Sequence, residues 1–340
     1  MPEDNKVKIA VIASVGLGDG VILLILANNL ARNNFDVFFY SNTISQLSEW
    51  LPNITVRPYP NKEIVEEELD EFDIVLADNK SIISNPNYPR SEFKRLREKY
   101  IYLSLGFTDP ELINDHTQRL KERLSPEKFE QVKYLAKCAG EIRFQHGKRN
   151  LNMVENSVIF CKEKLKLNDV TSDTGLVPPQ KLNLTKNKFN KRILLHPFSS
   201  AEKKNWKLKK FIKFAELIKK DGWEPVFLVA PYEQEKLQIE NQHQFEAPLF
   251  PTISELAAYI YESHAIVCNN SGTMNLASAL DLPSLSITYR GKNHRWRPGW
   301  KTGLVITPII KLKIGEFRIW EQFITVGNIY KNFNKLIKNT

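Results

Sequence analysis

The stretch Ala265–Leu280 constrains the fold more than any other part of the chain. Ala265-Ile266-Val267-Cys268 is a short apolar run, the pattern of a strand covered on both faces of a parallel sheet. Asn269-Asn270-Ser271-Gly272 follows as a tight polar turn, with a hydroxyl placed to cap a helix. Met274, Leu276, Ala277 and Leu280 then keep a helical period. Strand, turn and helix in that order open onto the carboxyl edge of an α/β sheet. A helix start there offers free N–H groups and a positive dipole end, which suit a diphosphate. Taken alone, the same residues serve equally as an ordinary crossover with nothing bound.

The N-terminal half repeats the pattern. Lys8–Ala13 reads as a strand, Ser14–Gly20 as a glycine-rich turn, Val21–Asn34 as a helix and Val37–Tyr40 as the next strand. A dinucleotide fingerprint fits the turn poorly. After Gly16 and Gly18 its third glycine belongs at position 21, which is Val21, and Asp36 precedes the second strand instead of following it. Asp19, an acid at the top of the first strand, can act as a general base toward a hydroxyl or cap the helix that follows. Phe72–Asp78 and Tyr100–Leu105 read as strands, Glu111–Ala139 as helix broken at Pro126, and Met153–Leu165 as an amphipathic helix. Arg143, His146, Lys148 and Arg149 form a basic cluster, either exposed loop charge or a contact for an anionic acceptor.

In the C-terminal half, Lys191–His196 starts a second sheet and Pro197-Phe198-Ser199-Ser200 makes a turn with two hydroxyls. Leu208–Lys220 is a helix with Leu208, Phe211, Ile212, Ala215 and Ile218 on one face. Trp223–Ala230 is a strand, Ile253–Tyr261 a helix and Ser284–Tyr289 a strand. Lys204 can neutralise a phosphate, Ser199 and Ser200 can bond the same group, and Glu233 can accept from ribose hydroxyls. Each alone also suits a surface or capping role; together they follow strand ends, where open α/β sheets bind ligands.

At 340 residues the chain is long enough for two domains. The expected division is a Rossmann-like domain over 1–178, a linker over 179–190 and a second Rossmann-like domain over 191–327. A C-terminal helix over 328–340 is expected to pack back on the N-terminal domain. The formal charge is +9, concentrated between Lys186 and Lys220, where twelve Lys/Arg face two acids. This is either a solvated helix face or a surface for an anionic partner. No nucleic-acid motif accompanies it. Cys138, Cys161 and Cys268 are scattered, as in a reduced cytoplasmic protein, and the six His form no metal-ligand cluster. No apolar run approaches the ~20 residues of a membrane span.

Collected in order, these motifs resemble glycosyltransferase family 9, the heptosyltransferases of the lipopolysaccharide inner core. Gly18-Asp19 before an apolar helix is similar to the family's Gly-Asp motif, and Phe72–Asp78 to its Phe/Tyr-Asp-Leu-Val strand. His196-Pro197-Phe198-Ser199-Ser200 is similar to its His-Pro-Gly-Ser-Ser turn, and Lys204-Asn205-Trp206 to its Lys-x-Trp. Ala230–Glu233 resembles the turn that meets the ribose, and Asn270-Ser271-Gly272-Thr273-Met274-Asn275 the Asp-Ser/Thr-Gly-x-x-His diphosphate motif. The resemblance implies a GT-B fold, two Rossmann-like domains facing across a cleft, with the acceptor side in 1–178 and the nucleotide-sugar-binding side in 191–327. It implies an inverting, metal-independent transferase with no cofactor, moving a heptose-like sugar from a nucleotide-diphosphate sugar, ADP-linked, to a lipopolysaccharide-core or other glycan acceptor. Asp19 would be the catalytic base, with Gly16 and Gly18 in its turn. Ser199, Ser200, Lys204, Glu233, Asn270, Ser271, Gly272, Thr273 and Asn275 would hold the donor. A cytoplasmic protein with peripheral contact at the inner membrane follows. The chain departs from the pattern at Asn270 for Asp, Asn275 for His and Phe198 for Gly. Those two asparagines support the alternative of a non-catalytic nucleotide-sugar-binding relative; a transferase with a protein acceptor and a nucleotide-sugar epimerase are further alternatives.

Overall fold

The computed structural model describes residues 6–61, 63–78, 99–103, 110–137, 151–199, 202–241, 244–300, 303–310, 312–314 and 317–340. It divides into two compact units, Met1–Val177 and Pro178–Thr340.

The first unit contains β1 (Lys8–Ile12), α1 (Leu17–Arg32), β2 (Asp36–Tyr40), β3 (Thr55–Arg57), α2 (Val65–Leu69) and β4 (Ile74–Asp78). After them come β5 (Ile101–Leu103), α3 (Pro110–Arg123), α4 (Pro126–Ala136) and α5 (Met153–Ile159). The sheet order is β3-β2-β1-β4-β5, with every pairing parallel. Apolar Ile9–Ile12 at its centre is fully buried, the consequence of helices on both faces. The chain leaves β1 toward β2 on one side and later returns to β4 on the other. The carboxyl ends of β1 and β4 therefore flank a topological switch point.

Helix α1 begins at Leu17, four residues earlier than the glycines suggest, so Gly18 and Asp19 lie in its first turn. Gly16 is the N-cap, at φ −83 and ψ 135, an extended conformation open to any residue. Gly20 is the glycine that packing requires: a Cβ there would lie 2.8 Å from Cγ1 of buried Ile44. The far face of α1 carries buried asparagines where apolar residues are usual. Asn29 exchanges two hydrogen bonds with the Thr171 backbone, both at 2.8 Å, and Asn28 donates to Asp173 O at 3.0 Å. A strap over residues 168–175 thus covers the helix, and the amides satisfy its backbone. Gly175 lets it turn, with φ +79 and no room for a Cβ beside Asn28 Oδ1.

The second unit contains β6 (Phe189–His196), α6 (Leu208–Lys220), β7 (Glu224–Phe227), α7 (Gln234–Asn241), α8 (Ile253–Tyr261) and β8 (Ser263–Asn269). It continues with α9 (Gly272–Ala279), β9 (Ser284–Ile287), β10 (Gly303–Ile306), the antiparallel pair β11 (Leu312–Ile314) and β12 (Phe317–Ile319), and α10 (Val326–Lys338). The parallel sheet runs β10-β9-β8-β6-β7, so its switch point lies between β6 and β8, whose ends pair at His196 and Cys268. The stretch expected as a linker packs onto this unit: Asn187 N donates to Tyr261 O at 3.1 Å and Thr185 N to Glu262 Oε1 at 3.2 Å.

The C-terminal helix differs from expectation. Ile329, Phe333 and Leu336 of α10 are buried in the same cluster as Phe211, Phe214 and Ile218 of α6. Phe214 and Phe333 meet edge to face, centroids 5.5 Å apart. Burying each such side chain is worth about 1.5–3 kcal/mol, so the apolar face of α10 is committed to the core of the second unit.

Candidate functional site

The switch point of the second unit is built around one side chain, Asn269, the last residue of β8 and fully buried. Its Oδ1 accepts from Trp206 N at 2.9 Å, while Nδ2 donates to Pro197 O at 2.6 Å and toward Trp206 O at 3.4 Å. One amide thereby ties the turn after β6 and the Lys-Asn-Trp turn to the end of β8. Buried backbone groups of irregular loops need such partners. Ser199 Oγ donates to Asn205 Oδ1 at 2.6 Å and joins the same two turns. Ser200 lies outside the described residues.

The Lys204 turn is anchored from its other side. Trp206 is fully buried and its Nε1 donates to Ile324 O at 2.9 Å; Trp320 Nε1 donates to Lys203 O at 3.3 Å. Lys210 Nζ donates to Glu321 O at 2.5 Å and Ile324 O at 3.1 Å. Lys204 itself is half-buried and has no acid partner among the described residues. Lys207, Lys209 and Lys236 contrast with it. A cavity of about 760 Å³ opens beside this turn, lined by Phe198, Trp206, Lys207, Lys209, Lys236 and Trp320 among others. Three of its four lysines are paired, Lys207 with Glu321, Lys209 with Glu240 and Lys236 with Glu202; Lys203, like Lys204, has no acid partner among the described residues. Lys204, Ser199 and the α9 start do not line it.

Ser271 caps α9, its Oγ accepting from Met274 N at 3.4 Å. The first N–H groups of such a helix have no intrahelical acceptor, which leaves Gly272 and Thr273 as donors at the carboxyl edge. Asn270 is part-buried, and its Nδ2 lies 3.3 Å from Nε2 of His294, on the loop after β9. His294 Nδ1 meets Gly291 O at 3.0 Å. Burial, the leading cause, and the charges of Arg290 and Arg297 push the ring down to about 4, so it is neutral near pH 7. Asn275 is buried one turn into α9, and its Oδ1 has no hydrogen-bond partner among the described residues.

On the adjacent strand end, His196 Nδ1 donates to Leu228 O at 2.7 Å, and burial again favours the neutral ring against the opposing charge of Glu233. Glu233 Oε2 accepts from Ala230 N at 2.9 Å, and the Tyr232 hydroxyl also hydrogen-bonds the carboxylate, which fixes it at the end of β7. The second unit thus gathers Ser199, Lys204, Glu233 and Asn270–Thr273 on three neighbouring strand ends, β6, β7 and β8.

Asp19 and Gly16 belong to the first unit. Ser14 Oγ donates to Asp19 Oδ2 at 3.2 Å, so the acid is oriented from the end of β1. Tyr59 backs this edge: its hydroxyl donates to Ala13 O at 2.9 Å, and burial, with Asp78 adding to it, pushes the phenol up to about 12. Asp78 is buried at the end of β4. Sequence reasoning missed Asn269, His294 and Tyr59 as parts of these edges. The Asn-Asn doublet was the available signal for the first; the others depend on contacts between residues far apart in the chain. Arg143, His146, Lys148 and Arg149 lie outside the described residues.

Two parallel Rossmann-like sheets, each with its polar turns at a switch point, define an α/β protein of the GT-B kind. The chain belongs to glycosyltransferase family 9 (heptosyltransferase), whose description matches residues 139–310. It is 36% identical over 135 residues to lipopolysaccharide heptosyltransferase 1 of Campylobacter coli. That match spans 37% of this chain and 38% of the length of that relative. Its fold is similar to a family 9 glycosyl transferase of Veillonella parvula, with TM-score 0.67 and 16% identity over 100% of this chain and 99% of the other. It is also similar to E. coli heptosyltransferase WaaC, solved with ADP, with TM-score 0.64 and 13% identity over 97% and 99%. For E. coli ADP-heptose lps heptosyltransferase II the TM-score is 0.59 and the identity 15%, over 98% and 99%.

Proposed function

We propose that the chain transfers a sugar, heptose-like, from a nucleotide-diphosphate sugar to a glycan acceptor, with inversion and without a metal. The carrying observation is the second unit's switch point, where Asn269 ties the start of α9 to the turn of Lys204, a cation with no acid partner among the described residues. Lys204, Ser199 and the Ser271–Thr273 helix start take the diphosphate, and Glu233 takes the ribose hydroxyls. An ADP-linked donor is favoured because the compared relatives include proteins solved with ADP and with ADP-2-deoxy-2-fluoro heptose.

Asp19 accepts the acceptor hydroxyl's proton while that oxygen forms its bond to the anomeric carbon from the face opposite the leaving group. The bond from the anomeric carbon to the phosphate oxygen breaks, and its electron pair leaves with the nucleoside diphosphate. Lys204 and the helix N–H groups stabilise that departing charge, the role a metal plays elsewhere. The acceptor is an anionic glycan of the lipopolysaccharide-core class, worked on at the cytoplasmic face of the inner membrane. Exposed Lys213 and Lys220 of α6 and Lys331, Lys335 and Lys338 of α10 favour that peripheral placement. Replacing Asp19 tests the reading: Asp19→Ala should lower transfer by roughly 10²–10⁴-fold and leave ADP affinity within about twofold. Undiminished transfer would remove Asp19 from the reaction.

A further inference from the structure

The strongest unassigned feature is the contact between Asn270 and a histidine 24 residues further along the chain. Resting on the donor-site reading above, we propose that His294 is a positioning residue of that site. Its Nε2 accepts from the Asn270 amide and so fixes Asn270 Oδ1 as an acceptor for a hydroxyl of the bound nucleotide sugar.

The hydrogen bonds determine the orientation. Gly291 O is a carbonyl and can only accept, so His294 Nδ1, 3.0 Å away, carries the proton. In the neutral ring Nε2 then has the lone pair and needs a donor. At 3.3 Å the only suitable end of the Asn270 side chain is its NH₂ group. The amide is thereby committed in one direction. Its Oδ1 has no donor among the described residues, and Asn270 is only part-buried at the carboxyl edge beside the α9 start.

The charges around the ring maintain this state. The charged groups facing His294 are Arg290 and Arg297 on its own loop, and Arg297 Nη1 also donates to His294 O at 3.1 Å. Burial and two cations oppose a third positive charge on the imidazole, and they outweigh the backbone hydrogen bonds of Gly291 and Trp296, which favour it. From the β8–α9 turn the facing group is the neutral Asn270 amide. Asn270 and His294 are therefore a matched pair. A carboxylate at 270 has no hydrogen to give Nε2 and would have to draw a proton onto the ring. The replacement of the family's usual Asp by Asn at this position thus keeps an acceptor next to the diphosphate site without placing a second negative charge there. The chemistry read by Oδ1 is a neutral donor, the hydroxyl of a sugar or ribose.

The test uses the full-length chain and two independent readouts. The first is the protonation state of His294, by nitrogen NMR of histidine-labelled protein. The expected result is a neutral ring protonated at Nδ1 from pH 7 down to pH ~5, with titration moved up by at least about one unit in Asn270→Asp. A ring protonated at Nε2, or an unchanged titration in Asn270→Asp, would overturn the pairing. The second readout is affinity for ADP-heptose. Asn270→Ala and His294→Phe should each weaken it about tenfold, the scale of one neutral hydrogen bond. The double variant should be no worse than either single one, and His294→Gln, which retains an acceptor, should recover most of the loss. Additive losses would show that His294 acts otherwise than through Asn270 and overturn the positioning role. Failure of the unmodified chain to bind the nucleotide sugar, with the NMR pairing intact, would instead overturn the donor-site reading and with it the role assigned to Oδ1.

Discussion

The two switch points follow one topological rule and carry opposite chemistry. In the first unit a short turn over residues 13–16 joins β1 to α1, and the helix's own first turn presents a carboxylate, Asp19, held by Ser14. In the second unit β6 is followed by a long turn before its helix and β8 by a turn of only two residues, and the neutral side chains Asn269, Ser199, His196 and His294 hold these turns to one another and to the neighbouring strand end and loop. The charge they frame is the cation of Lys204. A sheet edge that must release or take a proton can be built from a few local residues. An edge that must cradle a polyanion needs several turns brought to one place, and amides do this without adding negative charge.

The largest effect that would sharpen this contrast is removal of the central amide. Asn269→Ala leaves the Trp206 amide and the Pro197 carbonyl buried without partners and should cost about 2–4 kcal/mol. Five of the six tryptophans, at 206, 223, 296, 300 and 320, lie in the second unit, so tryptophan fluorescence during urea unfolding should report the loss. A ΔG within 0.5 kcal/mol of the unmodified chain, the ~0.5 kcal/mol scale of a neutral surface change, would deny Asn269 its organising role. In the first unit the corresponding test is Gly20→Ala. Its Cβ would stand 2.8 Å from Ile44 Cγ1, and the overpacking should cost about 1–3 kcal/mol, read by circular dichroism. ADP affinity should survive that change and fail in Asn269→Ala.

A smaller effect separates the edges by pH. Burial lowers the folded-state pKa of His294 to about 4, and that of His196 in the same direction. The unfolded chain, with ordinary histidines near 6.5, takes up these protons first. Their contribution to stability is therefore complete above pH ~6.5 and falls as the pH drops toward 4. The tryptophan-reported unfolding temperature should decline over that window, and His294→Gln should flatten part of the decline. A flat profile in the unmodified chain would show that these rings are not held neutral.

The strands and long helices are legible in the sequence because burial imposes them. The apolar runs at Lys8–Ala13 and Ala265–Cys268 become β1 and β8, and Leu208–Lys220 and Ile253–Tyr261 form helices with those bounds. The short strands Thr55–Arg57 and Gly303–Ile306 give no signal, since three or four half-buried residues set no period. The start of α1 is misleading for a physical reason. Glycines read as a turn, whereas Gly20 is there for close approach to Ile44 inside a helix. Lys204, Glu233 and the Ser271 cap are legible as strand-end residues. The amides that assemble them are not, because Asn269 meets Trp206 across 63 positions and Asn270 meets His294 across 24. The destination of α10 was equally hidden: its apolar stripe announces burial but not against which unit.

The central claim, that the second unit's edge holds a nucleoside diphosphate through Lys204, is tested most directly by thermal unfolding with ADP. At 100 times its dissociation constant, ADP should stabilise the full-length chain by about 2.7 kcal/mol. NAD at the same concentration should not, and Lys204→Ala should lose most of the ADP shift. No shift with ADP, or an equal shift in Lys204→Ala, would contradict the account.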